Sequence, residues 1–132
     1  MKLLRKCVGK PVEVVETAEK YFMDCVRRFF GKNVFTGRVY LEGMEFIMVV
    51  DEEAPLKRLP VNFYMAFNEG SASVQQIWGD VLFVRNKYAD IWGKEIWDFE
   101  VLDVTDRDIE GIEALCDPVI QHKLKEMFEK GV

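Results

Sequence analysis

Val39 and Leu41 alternate with Arg38 and Tyr40, and Met44, Phe46, Met48 and Val50 alternate with Glu45, Ile47, Val49 and Asp51. A period of two predicts two strands, joined at Glu42-Gly43 in a two-residue hairpin turn. The second strand is apolar on both faces from Phe46 to Val50, which places it inside a sheet rather than at its rim. Residues 2–8 and 11–16 predict an earlier hairpin around Gly9-Lys10. Pro11 there suits an edge or a first-strand position because it cannot donate to the ladder. In the stretch "AEKYFMDCVRRFFGKN" the spacing changes: Tyr21, Phe22, Cys25, Val26, Phe29 and Phe30 make one wide helical face. Thr17 is expected to cap this helix and Gly31 to end it.

The segment "DEEAPLKRLPVN" is charged, contains Pro55 and Pro60, and reads as a connecting loop. After the polar "NEGSAS", the run "QQIWGDVLFV" predicts one strand. Ile77, Val81 and Phe83 share a face, and Gly79 is a bulge or point of close approach. "IWDFEVLDV" predicts another strand, with Trp97, Phe99 and Val101 on one side. Thr105 with Asp108 three residues later is a capping-box start, in the shorter acid, for a helix with Ile109, Ile112 and Leu115 inward. Asp117-Pro118 starts a second helix, with Ile120, Leu124 and Phe128 as its buried stripe. The expected order is ββαββ, loop, ββαα. This is an α+β class with a mainly antiparallel sheet, one helix after the first hairpin and two at the C-terminal end. The triplet Ile77-Trp78-Gly79 returns at Ile91-Trp92-Gly93, but the flanking patterns differ and there is no repeat.

Composition bounds the partners and the compartment. A chain of 132 residues with 49% hydrophobic content is expected to form a single domain over residues 1–132. No run approaches the roughly 20 apolar residues of a membrane span, and no membrane association is expected. Lys6 and Lys10 interrupt the N-terminal apolar residues, so a signal peptide is not expected. Cys7, Cys25 and Cys116 are odd in number and show no CxxC spacing, which fits free thiols in a reducing cytoplasm.

Charge is uneven. Residues 1–38 carry nine Lys/Arg against four Asp/Glu, whereas residues 98–117 carry eight acids against Arg107 alone. Such asymmetry serves a binding surface, or is neutralised when folding brings the two ends together. The net charge of −5 and a pI near 5.0 argue against nucleic-acid binding. The opposite use, an acidic surface that mimics spaced phosphates, is a strategy of phage anti-defence proteins.

The succession "VYLEGMEFIMVVDEEAPLKRLPVN", "IWGDVLFV" and "WDFEVLDVTDRDIEGI" resembles a small domain of unknown function, family 3846, found mostly on bacteriophages, plasmids and other mobile elements. The shared features are a hairpin ending in an acidic turn, Leu59-Pro60-x-Asn62, an apolar strand after Ile77-x-Gly79-Asp80, and a last strand running into a T-x-x-D helix start. They cover roughly residues 1 to 112. The chain departs from the family in "FYMAFNEGSAS", "NKYADIWGKE" and the second C-terminal helix. The resemblance implies an accessory protein of a mobile element inside a bacterial cell, and it brings no catalytic residues.

Specific chemistry finds little purchase. Asp106, Asp108, Glu110, Gly111 and Asp117 fall at EF-hand positions, but position 12 is Asp, Glu113 occupies an apolar position, and a strand rather than a helix leads in. Capping explains the same residues, and neither a metal nor another cofactor is expected. His122, the single histidine, lies beside Gln121 and Lys123 on a solvated face, six residues from Cys116 with no orienting acid. Gly70-Ser71-Ala72-Ser73 lacks the Lys-Ser/Thr ending of a phosphate loop. The expected function is that of a non-enzymatic accessory protein of a phage or mobile element. It would bind a host protein or itself, in a counter-defence role, with a homodimer through an uncovered sheet edge. The alternative is a module for a small ligand or nucleotide derivative. For either, the residues singled out are Asn62, Asn68, Ser71, Arg85 and the aromatics Trp78 and Trp92.

Overall fold

A computed structural model describes residues 2–30, 34–41, 44–54, 56–69, 71–86 and 101–131. The described strands are β1 (Lys2–Lys6), β2 (Glu13–Glu16), β3 (Val34–Leu41), β4 (Met44–Asp51), β5 (Val61–Glu69), β6 (Ser71–Trp78), β7 (Val81–Asn86) and β8 (Val101–Leu102). The described helices are α1 (Phe22–Phe30), α2 (Asp106–Leu115) and α3 (Pro118–Glu129). The α+β class stands. One antiparallel sheet runs in the order β2-β1-β7-β4-β3, with β8 also on β7, and β5 and β6 form a separate two-stranded ribbon.

The main sheet is covered on both faces, which is why β4 and β7 carry unbroken apolar runs at 46–50 and 81–84. Leu4, Phe46, Met48, Val81 and Phe83 point to one side and meet Phe63, Met65 and Ile77 of the ribbon and Ile112 of α2. Leu3, Ile47, Val49, Leu82 and Val84 point to the other side and meet Cys25 and Val26 of α1. Adjacent residues thus serve opposite cores, the period-two rule applied twice. Phe83 joins the layers: its ring lies 6.5 Å from Phe46, edge-on, and 6.2 Å from Phe63, stacked. Truncating such a ring to Ala costs about 3–5 kcal/mol in a packed core.

Three local expectations are corrected. First, "QQIWGDVLFV" is two strands rather than one, and β5, which takes the last two residues of the expected loop and a stretch assigned to no strand, pairs with the first of them. Gly79, at φ +75°, turns the chain out of the ribbon and into the main sheet. Ile77, Val81 and Phe83 do share a core, but from two sheets facing each other. Second, α1 starts at Phe22, and Thr17 does not cap it. The Thr17 hydroxyl instead donates to the Glu19 carboxylate and accepts from the Glu19 amide, a local turn that delays the helix. Third, the α3 stripe is not buried: Ile120 is 41% exposed and Phe128 36%. Gly31, the Glu42-Gly43 turn, Trp92 and Trp97 lie outside the described residues.

The caps of the C-terminal helices form as the sequence dictates. The Thr105 hydroxyl accepts from Asp108 N, the Asp108 carboxylate accepts from Thr105 N at 2.8 Å, and Asp117 accepts from the amides of Val119 and Ile120. The acidic segment also meets the N-terminal strand: Lys2 N donates to Asp103 Oδ1 at 2.8 Å and Val104 N to Lys2 O at 3.1 Å. The basic residues themselves pair locally, Arg5 with Glu13 and Arg28 with Glu19.

Candidate functional site

The residues singled out from the sequence do not converge. Asn62 stands at the start of β5, and Asn68 and Ser71 at its far end, where Asn68 faces Ala72 and Glu69 faces Ser71. Six residues of strand separate the two ends by about 20 Å. Trp78 belongs with Asn62 at the ribbon base, half-buried, its Nε1 donating to Gln76 Oε1 at 3.2 Å. Arg85 lies on β7, with Nη1 3.5 Å from the buried carboxylate of Asp108.

Asn62 is occupied on all sides by its own chain. Its Nδ2 donates to Lys6 O at 2.7 Å and Gly79 O at 2.8 Å, and its Oδ1 accepts from Lys6 Nζ at 3.1 Å. Lys6 Nζ also donates to Cys7 O at 3.0 Å, so a buried ammonium is satisfied by neutral oxygens. Gly79 N completes the corner by donating to Pro60 O at 2.8 Å. A Cβ on Gly79 would lie 2.9 Å from Leu59 Cδ1, so the close approach expected of this glycine is present. This corner ties β1, β5, β6 and β7 together and leaves no polar atom of Asn62 facing outward for a ligand.

The three cysteines are held as thiols. Burial pushes the Cys25 thiol up to about 11, helped by Glu19 and Asp24, and burial likewise raises Cys7 and Cys116. Thiols shifted this way stay protonated at neutral pH. His122 lies exposed on α3, with Nε2 3.0 Å from Glu126 Oε1 one turn away. The EF-hand register is taken up by secondary structure: Asp106 to Leu115 is continuous helix, and Asp108 and Asp117 are cap residues. Among the described residues no group of three His, Cys, Asp or Glu side chains could hold a metal ion.

The feature the sequence did not reveal is how the expected second C-terminal helix, α3, is turned on the ribbon. α3 packs on the ribbon and on α2 without burying a single residue. Two contacts seat it. The Gln121 side chain accepts from Tyr64 N at 2.7 Å and donates to Tyr64 O at 3.0 Å and Leu115 O at 2.7 Å. The Phe128 ring lies 5.6 Å from that of Tyr64. At 100° per residue, Gln121, Leu124 and Phe128 form the seated side, and His122, Lys125 and Glu129 form a charged flank. On the third flank Ile120 and Met127, about 20° apart, form an exposed apolar line at 41% and 38%, while Val119, 62% exposed, lies about 90° away between Lys123 and Glu126. Gln121 has no periodicity to announce it, and Met127 falls outside the Ile120–Leu124–Phe128 stripe.

Comparisons with protein-family models, with curated proteins and with solved structures find no match. Among the described residues, no helix is long and apolar enough to cross a membrane.

Proposed function

We propose that this chain is a non-enzymatic binding protein that engages a protein partner through the apolar flank of α3. The carrying observation is the exposure of Ile120 and Met127 along one line of a helix whose opposite flank, His122, Lys125 and Glu129, is charged. A helix that only covered the ribbon would need one apolar side, and α3 has a second. Protonated thiols, a surface histidine and carboxylates spent on caps support a role without chemistry. In the context implied by the resemblance to domain of unknown function family 3846, the partner is a host protein or a second copy. The setting is a mobile-element accessory protein in the bacterial cytoplasm, acting in counter-defence.

The test is a photo-crosslinking amino acid placed at Ile120 and, separately, at Lys125, in bacterial cells. Protein adducts are expected from position 120 and not from 125. Equal yields, or none from either, would contradict the reading.

A further inference from the structure

α3 is attached to the rest of the chain at few points. Among the described residues no ion pair joins it to another element, and the pair it carries, His122 with Glu126, is internal. Gln121 makes its side-chain hydrogen bonds to other elements, and no residue of the helix is buried. Its own stabilisers would travel with it: Asp117 accepts from the amides of Val119 and Ile120 at its start. Pro118 has no N–H, so the ladder of α2 stops before it, and Cys116-Asp117 links the two helices.

The surface beneath is apolar. Val74 is 7% exposed yet belongs to neither of the two cores that line the main sheet. It faces Ala66 across the ribbon, as Gln76 faces Tyr64. Alternation along the strands puts these four on the ribbon face turned away from Phe63, Met65 and Ile77. α3 is the described element packed on that face, with Phe128 against Tyr64.

We propose that α3 is a strap that opens as a unit about Cys116-Asp117 while the sheet stays folded, uncovering Val74 and the edge of β5 at Tyr64. Elements held by few buried contacts occupy the low end of the range of local stabilities. Opening joins the seated Leu124 and Phe128 to the exposed Ile120 and Met127, and it frees the Tyr64 amide and carbonyl. The strap thus governs how much apolar surface and open strand edge the chain presents. It is a property of the free chain and does not depend on the reading of Ile120 and Met127 as a contact surface.

Tyr64 reports the opening. Its amide belongs to a strand but is bonded to a helix side chain, whereas alternation turns the Met65 amide toward β6, opposite Gln75. Once lifted, a helix of twelve residues is marginal in water and its amides exchange.

The test is native-state hydrogen exchange of the full chain, read by NMR at low denaturant concentrations. The amides of Tyr64 and of residues 122–129 are expected to share one opening with one denaturant dependence, at least about 100-fold less protected than Phe83. Met65 stays with the ribbon. Phe128→Ala removes a ring contact and is expected to speed Tyr64 and α3 by one common factor of roughly tenfold, leaving Met65 and Phe83 unchanged. Amides of α3 that exchange only together with those of β7 overturn the strap. So does a Tyr64 amide that exchanges apart from α3 or is as protected as Met65. Exchange that slows residue by residue from Lys130 inward is fraying, and overturns it too.

Discussion

The Gln121 side chain takes the place of a neighbouring strand at Tyr64, accepting from its amide at 2.7 Å and donating to its carbonyl at 3.0 Å. The edge of β5 is thereby closed by one residue of a helix. The same amide nitrogen reaches Leu115 O at 2.7 Å, a carbonyl at the end of α2 with no helical partner. With the Phe128–Tyr64 ring contact, this side chain fixes the position of α3, and with it the direction in which Ile120 and Met127 face.

Replacing Gln121 with Leu keeps the bulk and removes all three bonds. With a net worth of about 0.5–1.5 kcal/mol per bond, the loss is expected to be roughly 2–3 kcal/mol. Hydrogen exchange is expected to speed up in α3 while Phe83 and its neighbours stay protected. An unchanged denaturation midpoint and unchanged α3 exchange would show that the clamp contributes nothing.

Asn62→Ala leaves Lys6 O, Gly79 O and the Lys6 ammonium each short of a partner at a part-buried corner. The expected cost is about 2–4 kcal/mol by chemical denaturation. Gly79→Ala forces a Cβ into the left-handed region and against Leu59, for about 1–2 kcal/mol. Leu59→Ala is expected to relieve only the contact, so the double variant recovers part of that cost and not all. Full recovery would place the strain in the side chain rather than the backbone.

Acid sensitivity is assigned to Asp51. The Lys57 ammonium, 2.7 Å away, holds its carboxyl below the usual range, helped by the Glu53 amide. A depressed folded pKa stabilises above the unfolded value of about 4, and the gain is lost as pH falls through the folded value. Lys57→Met is therefore expected to lower the denaturation midpoint at pH 7 and to match the parent chain near pH 3. A difference that persists at pH 3 would assign the effect to packing.

Cys25, fully buried on the side of α1 that packs on the sheet, is expected to resist alkylation at pH 8 until the protein unfolds, with Cys7 and Cys116 modified first. Early modification of Cys25 would mean that α1 opens locally.

Much of the fold was legible because its signals are local. Thr105-Asp108 and Asp117-Pro118 are caps formed by neighbours in sequence, and both helices start there. The unbroken apolar run from Phe46 to Val50 marked a strand covered on both faces, and β4 lies inside the sheet. β5 carries a period of two, with Val61, Phe63, Met65 and Phe67 alternating with Asn62, Tyr64, Ala66 and Asn68, but it follows directly on the Pro55–Pro60 loop and runs into the polar "NEGSAS", so it reads as part of a connection. The break at Gly79 was hidden because Ile77 and Val81 point into one core from two sheets, which imitates a single face. The exposed flank of α3 was hidden for a different reason. A stripe at 120, 124 and 128 specifies an amphipathic helix, but Gln121 decides how that helix is turned on the ribbon, and its bonds to Tyr64 join residues 57 positions apart.

The double variant Ile120→Lys/Met127→Lys tests the account of α3 most directly. It is expected to keep the denaturation midpoint of the parent chain, because both side chains are already exposed, and to lose the protein adducts that a photo-crosslinking amino acid at position 123 forms in bacterial cells. A variant that keeps those adducts would contradict a contact surface at Ile120 and Met127.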